Sequence, residues 1–121
     1  MRMMRVFWDA AVELDPATAA LDEGARFAIC SPPALRDCFE SSGMEAIEVR
    51  ALDCQMVFAD FDDYWNPFFG GQAPAPAYQM SLAEAKRARL RELIRSRLPA
   101  GKSGEIRMMS RAWAVKGRAA R

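Results

Sequence analysis

Apolar residues recur at Met4, Phe7, Trp8, Ala11 and Leu14, the i, i+3, i+4, i+7 spacing of one helical face. The spacing predicts an amphipathic helix over residues 3–14. It opens so close to Met1 that a preceding element is expected. Asp15 and Pro16 mark a stop and a new start, with Asp15 as N-cap and Pro16 at the first helical position of a short helix through Leu21. Residues 27–30, Phe-Ala-Ile-Cys, read as an extended link. A third helix opens after Ser31, with Leu35, Cys38 and Phe39 as its apolar face, and closes at Gly43. Met44 is expected to pack back on its end. The period then changes to two. Ile47, Val49 and Ala51 alternate with polar neighbours and predict a strand to about Phe58, with Asp53 marking a bulge or bend.

The densest stretch follows. Residues 58–78 read FADFDDYWNPFFGGQAPAPAY and hold Phe58, Phe61, Tyr64, Trp65, Phe68, Phe69 and Tyr78. Phe61, Tyr64, Trp65, Phe68 and Phe69 fall on one helical face, with Asp60 placed to cap and Asp62 and Asp63 suited to a positive first turn. Pro67 cannot continue a regular helix, so a kink is expected at Asn66-Pro67 and a stop at Gly70-Gly71. Residues 72–78 read as an extended, proline-spaced loop. Ser81, with Glu84 three residues on, has the form of a capping box opening the longest helix. Its apolar arc is Leu82, Ala83, Leu90, Leu93, Ile94 and Leu98. After an exit loop, residues 105–116 predict a second strand, apolar on both faces and therefore covered on both. A basic tail, 117–121, is expected to fray.

Length and composition narrow the class. The 121 residues suffice for one domain, 1–121, with one modest core, and 51% apolar with 27% charged residues is ordinary globular composition. The net charge of +1 provides no overall field for nucleic acid or an anionic membrane. No apolar run approaches the roughly 20 residues of a membrane span. The N-terminus has no signal-like core, so a cytoplasmic protein is expected. The chain has no histidine, which removes His-based acid–base chemistry and most zinc sites. Cys30, Cys38 and Cys54 are widely spaced, with no C-x-x-C, and are expected to be small buried hydrophobes.

Candidate chemistry is sparse. Lys86, Arg87, Arg89, Arg91, Arg95 and Arg97 spread around the long helix, as a solvated face does. Asp60, Asp62 and Asp63 lack calcium-loop spacing and suit helix capping. Gly101-Lys102-Ser103-Gly104 lacks the first glycine of a phosphate loop and reads as a turn. The aromatic stretch remains. Its break by Pro67, Gly70 and Gly71 allows close backbone approach, and Gln72 adds an amide. Trp8 could complete an apolar wall with it.

These phrases, in this order, resemble a known family. FWDAAVELDP, LDEG, a helix ending SGM, EVRALD, VFADFDDYWNPFFGGQAPAPAY and RAWAVKG resemble the C-terminal part of bacterial class I S-adenosylmethionine-dependent methyltransferases of the type 11 kind. The resemblance spans nearly the whole chain. It implies that 45–58 is the sixth strand of a Rossmann-like sheet, that 105–116 is the seventh, and that 60–78 caps the substrate pocket. The family's [DE]-x-G-x-G-x-G cofactor loop is absent from this sequence. S-adenosylmethionine is therefore implied for the family but not expected to be held by this chain alone.

The sequence predicts an α+β fold: an antiparallel pair of strands with four to five helices packed on it, a partial Rossmann-like methyltransferase fold. The expected function is a substrate-side segment that transfers no methyl group alone, with no catalytic or metal-binding residues. The alternatives are a small homodimeric module for an apolar or aromatic ligand, and a purely structural role. Candidate substrate contacts are Trp8, Tyr64, Trp65, Phe69, Gly70, Gly71, Gln72 and Tyr78. A homodimer is expected through strand 105–116 or through the face of helix 3–14.

Overall fold

The apolar stripe of the N-terminal segment does form a helix, α1 (Arg2–Leu14), and it turns Phe7, Trp8, Ala10 and Ala11 fully inward. The computed structural model describes residues 1–120. Asp15 then ends α1 and accepts a hydrogen bond from the Ala17 N–H, which starts a 3-10 helix, Pro16–Leu21. A single helical turn, α2 (Glu23–Arg26), follows, capped by Asp22 through the Gly24 N–H. Residues 27–30 form turns where an extended link is expected, so that Cys30 N–H closes on the Phe27 carbonyl. Helix α3 (Pro32–Ser41) starts at Ser31, but the Ser31 hydroxyl bonds the Ala28 carbonyl and does not cap the helix.

Two strands, β1 (Met44–Phe58) and β2 (Ile106–Ala119), pair antiparallel into one sheet. Between them lie α4 (Phe61–Trp65), a second 3-10 helix (Asn66–Gly70), α5 (Pro74–Ser81) and α6 (Glu84–Arg97). The architecture is α+β, with six α-helices and two 3-10 helices among the described residues, more than the four to five expected. The excess comes from short turns. Several of them begin at Asp or Pro, which end one helix and start another within a few residues.

Several expectations are corrected. Residues 72–78 are not extended: Pro74 opens α5. Prolines at its first and third helical positions forfeit no helical hydrogen bond, because the first N–H groups of any helix lack partners. The ladder begins immediately afterwards, from Ala77 N–H to the Ala73 carbonyl. Ser81 therefore ends α5, donating its hydroxyl to the Tyr78 carbonyl, and α6 opens at Glu84 without a side-chain cap. Asp53 marks no bulge; it sits in register opposite Arg111. The irregularity lies between Glu45 and Glu48, where Ala46 takes φ of 51°. The 117–119 part of the expected frayed tail continues β2, and Arg121 lies outside the described residues.

The core lies at one end of the sheet. Phe58, Ile106 and Met108 of the sheet meet Phe7 and Trp8 of α1, Phe61, Tyr64 and Trp65 of α4, Phe68, Ala75 of α5, and Leu90 and Ile94 of α6. Helix α3 packs on the opposite end, beside the start of β1, and buries no residue completely. The middle of the ladder is exposed on both faces: Ala51 to Gln55 in β1 and Arg111 to Trp113 in β2. Coverage of both faces of β2 is therefore not observed. The three cysteines are exposed, not buried. Cys54 stands on the uncovered middle of β1, Cys38 on α3, and Cys30 in the turn before it.

One ion pair ties the first helices together. Arg5 donates two hydrogen bonds to Asp22, at 2.8 and 2.7 Å, a bidentate contact from α1 to the α2 cap. The Arg5 guanidinium, helped by the Gly24 N–H and opposed by burial, holds the Asp22 carboxyl below the usual carboxylate range. A carboxyl depressed in the folded state contributes stability above its unfolded pKa, about 3.9. That contribution disappears as pH falls through the lower folded value. Urea midpoints measured from pH 6 down to pH 2 should therefore fall, and Asp22→Asn should flatten part of the fall. An unchanged slope in the variant would count against the pair.

Candidate ligand-facing surface

The aromatic stretch is built from its caps inward. Asp60 accepts from the Asp63 N–H at 2.8 Å, while Asp63 accepts from the Ala59 N–H at 2.9 Å, and the two reciprocal bonds fix the start of α4. Pro67 then tightens the chain into the 3-10 turn, and Gly71, at φ of 68°, ends it in the left-handed region.

The rings face one another. Phe7 stacks on Phe68 with centroids 4.6 Å apart, Phe61 lies parallel to Trp65 at 6.1 Å, and Phe58 meets Tyr64 edge-on at 5.4 Å. The Tyr64 hydroxyl donates to the Met3 carbonyl at 2.8 Å, joining α4 to α1, and burial pushes its pKa well up. The Trp8 indole N–H donates to Glu23. Arg95 and Arg91 sit over the outer face of Phe61, at 4.3 and 5.0 Å from its centroid. The stripe is thus mostly interior.

The candidate contacts consequently divide. Trp8, Tyr64 and Trp65 are at most 2% exposed and belong to the core. Phe69 is 46% exposed, and Gly70, Gly71 and Gln72 are exposed beside it. Tyr78 is half-buried on α5, and burial together with the Asp15 charge raises its pKa. Trp65 and Phe69 are brought together, ring edge to ring face at 6.2 Å, along an open groove of about 460 Å³. Tyr78 instead lines a separate cleft of about 50 Å³ with Leu14, Asp15, Leu82, Lys86 and Arg89. Trp8 and Gln72 line neither.

Residues not read as ligand contacts complete the larger groove: Asp62, Asn66, Glu84, Arg87, Ala88 and Arg91. Arg91 is bound to Asp62 at 2.7 Å. Arg87 donates to the carbonyls of Gln79, Met80 and Leu82, closing the C-terminal end of α5. Its position eight residues after Gln79 carried no signal, because α5 was not expected. The groove can bind through an exposed ring and a few polar groups. It holds no serine, cysteine or histidine to act as a nucleophile.

Among the described residues, no group of three or more Cys, Asp or Glu gathers to hold a metal. No helix there is long and apolar enough to cross a membrane. No protein family, curated protein or solved structure matches the chain.

Proposed function

We propose that this chain is the substrate-side, C-terminal segment of a methyltransferase-like protein, a partial Rossmann-like unit that does not transfer methyl groups alone. One observation carries the reading. The two strands are 15 and 14 residues long, against about 5–6 for an ordinary strand, and their middle is uncovered on both faces. A two-stranded ladder this long with so little cover suits a sheet that continues beyond the pair. The helices at the Phe58 end, from α4 to α6, then form the wall that a neighbouring cofactor domain would meet. S-adenosylmethionine would be held by that domain, because the sequence here lacks the family's glycine-rich loop.

Titration calorimetry of the chain with S-adenosylmethionine is expected to give no binding heat. Binding tighter than about 100 μM, about 5.5 kcal/mol, would overturn the reading.

The second reading is a small homodimeric module for an apolar or aromatic ligand. The half-exposed Phe69 ring on the open groove favours it. Of the two surfaces expected for a dimer, the face of α1 is the less available, since Phe7, Trp8, Ala10 and Ala11 are buried in the chain's own core.

A further inference from the structure

The two edges of the sheet are not equivalent. The edge of β1 is disturbed near its start: the register slips between Glu45 and Glu48, Ala46 takes φ of 51°, and the Arg36 side chain occupies the Ile47 carbonyl at 3.0 Å. Bulges and such contacts blunt an edge against pairing. The edge of β2 is regular. At its start, Ala100 bridges Ile106 on the side away from Phe58. The open run therefore begins at Arg107 and ends at Ala119, with Trp113 at its midpoint.

Charge does not close this edge. Arg107 is paired with Glu105, Arg111 with Asp53 through two bonds of 2.6 and 2.7 Å, and Lys116 with Glu48. The cations that would repel a second copy are largely neutralised within each chain. Like charges directly across a ladder destabilise it, so the favoured register is one in which no cations stand opposite one another.

We propose that two copies of this chain pair antiparallel through β2, with Trp113 on the two-fold axis. In that register Trp113 faces Trp113, Arg111 faces Val115, Met109 faces Gly117 and Arg107 faces Ala119 on one side. On the other, Ala112 faces Ala114, Ser110 faces Lys116 and Met108 faces Arg118. No cation opposes a cation, and the whole open run is used. An axis at Arg111 would set Arg111 against itself. An axis at Met109 would set Arg107 against Arg111. An axis at Ala112 would bring Arg118 to Ile106, whose outer side Ala100 already holds.

The chosen centre also joins favourable groups. Trp113 is 36% exposed, and Arg111 lies 5.5 Å over its ring in the single chain. The pair of Trp113 rings at the axis would be flanked by both Arg111 cations, an aromatic cross-strand pair with cation–π support. The pairing would make one continuous four-stranded antiparallel sheet. It concerns the chain by itself and takes the β2 edge that a neighbouring domain would use in the methyltransferase reading; calorimetry tests that reading, and the experiment below tests the pairing.

The register can be measured with nitroxide labels in a chain whose Cys30, Cys38 and Cys54, all exposed, are replaced by serine. Labels are placed singly by Arg107→Cys, Ala112→Cys, Lys116→Cys and Ala119→Cys, leaving Trp113 intact. With a rise of about 3.4 Å per residue, labels at 107 and at 119 should give equal inter-copy separations of about 41 Å. A label at 116 should give about 20 Å along the strand, and one at 112 about 7 Å. The distances at 112 and 116 preserve the test if another variant fails to fold. An axis at Ala112 would instead give about 34 Å at 107 and about 48 Å at 119. Unequal distances at those two positions would overturn the assignment. So would a monomer by light scattering at the micromolar concentrations used, which would leave the β2 edge to a strand of a different chain or segment.

Discussion

Replacing Trp65 by alanine should lower stability by about 3–5 kcal/mol, the usual cost of emptying a large aromatic site in a core. Trp65 is 2% exposed and touches Phe61, Phe68 and Phe69 with ring centroids 5.9 to 6.2 Å apart. The surrounding rings are held by one another and by the Tyr64 hydroxyl on α1, which limits their collapse into the space it would leave. A domain of this size is stable by about 5–15 kcal/mol in total, so the variant should be close to unfolding at room temperature. Phe69→Ala is the informative contrast. Its ring is half in solvent and meets one other ring, so the loss should stay below about 1 kcal/mol.

Urea midpoints at one fixed protein concentration measure both, the fixed concentration removing any contribution from association. Equal losses in the two variants would place Phe69 in the core and remove the exposed ring from the groove. A Trp65→Ala midpoint unchanged within about 0.5 kcal/mol would mean that the interior does not rest on this aromatic cluster. Ligand binding by the folded Phe69→Ala protein then tests the groove without a folding artefact.

The difference between these two residues was not legible in the sequence, and the reason is geometric. In a continuous α-helix Phe61 and Phe69, eight residues apart, share a face. The chain instead tightens to a 3-10 helix at Asn66–Gly70, and each residue there turns about 20° further than in an α-helix. Phe68 stays inside and Phe69 is carried outward. Pro67 predicted the break but not the sense of the rotation.

The elements that could be read were those with local causes. The spacing of Phe7, Trp8 and Ala11, the cap at Asp60, and the stop at Gly71 all act within one or two turns. The antiparallel pairing of β1 and β2 follows less directly, from two long runs with β spacing. Helix α5 was hidden because prolines two apart suit an extended chain and a first helical turn equally well. Nothing in the residues of 44–48 signals the slip at Ala46. The uncovered middle of the sheet was unreadable for another reason. Alternating apolar residues say that a face can be covered, and only the path of the helices says whether it is. Met109 and Trp113 have the pattern of buried residues and stand exposed.

Gln79→Met should stabilise the protein by about 1–3 kcal/mol, and the argument comes from one side chain. Ala75 and Gln79 lie four apart on α5, so the turn that buries the alanine also buries the amide. Gln79 is 0% exposed, and no group of the protein meets its Oε1 or Nε2. Its backbone carbonyl accepts from Arg87 at 3.2 Å, which ties down the helix end that carries it. Removing an amide from water without partners costs about 1–3 kcal/mol on protein scales. Methionine has nearly the same length and volume, bends to fill an irregular space, and carries no such cost.

The melting temperature should rise by roughly 3–6 °C per kcal/mol gained, for a chain of this size. A fall would show that solvent reaches the amide and satisfies it. Gln79→Ala, which deletes the amide but leaves a cavity, should gain less than methionine or lose stability, because the lost volume works against the relieved polar group. Methionine above alanine separates packing from polarity. Methionine above wild type would mean that the native glutamine is retained at a cost to folding.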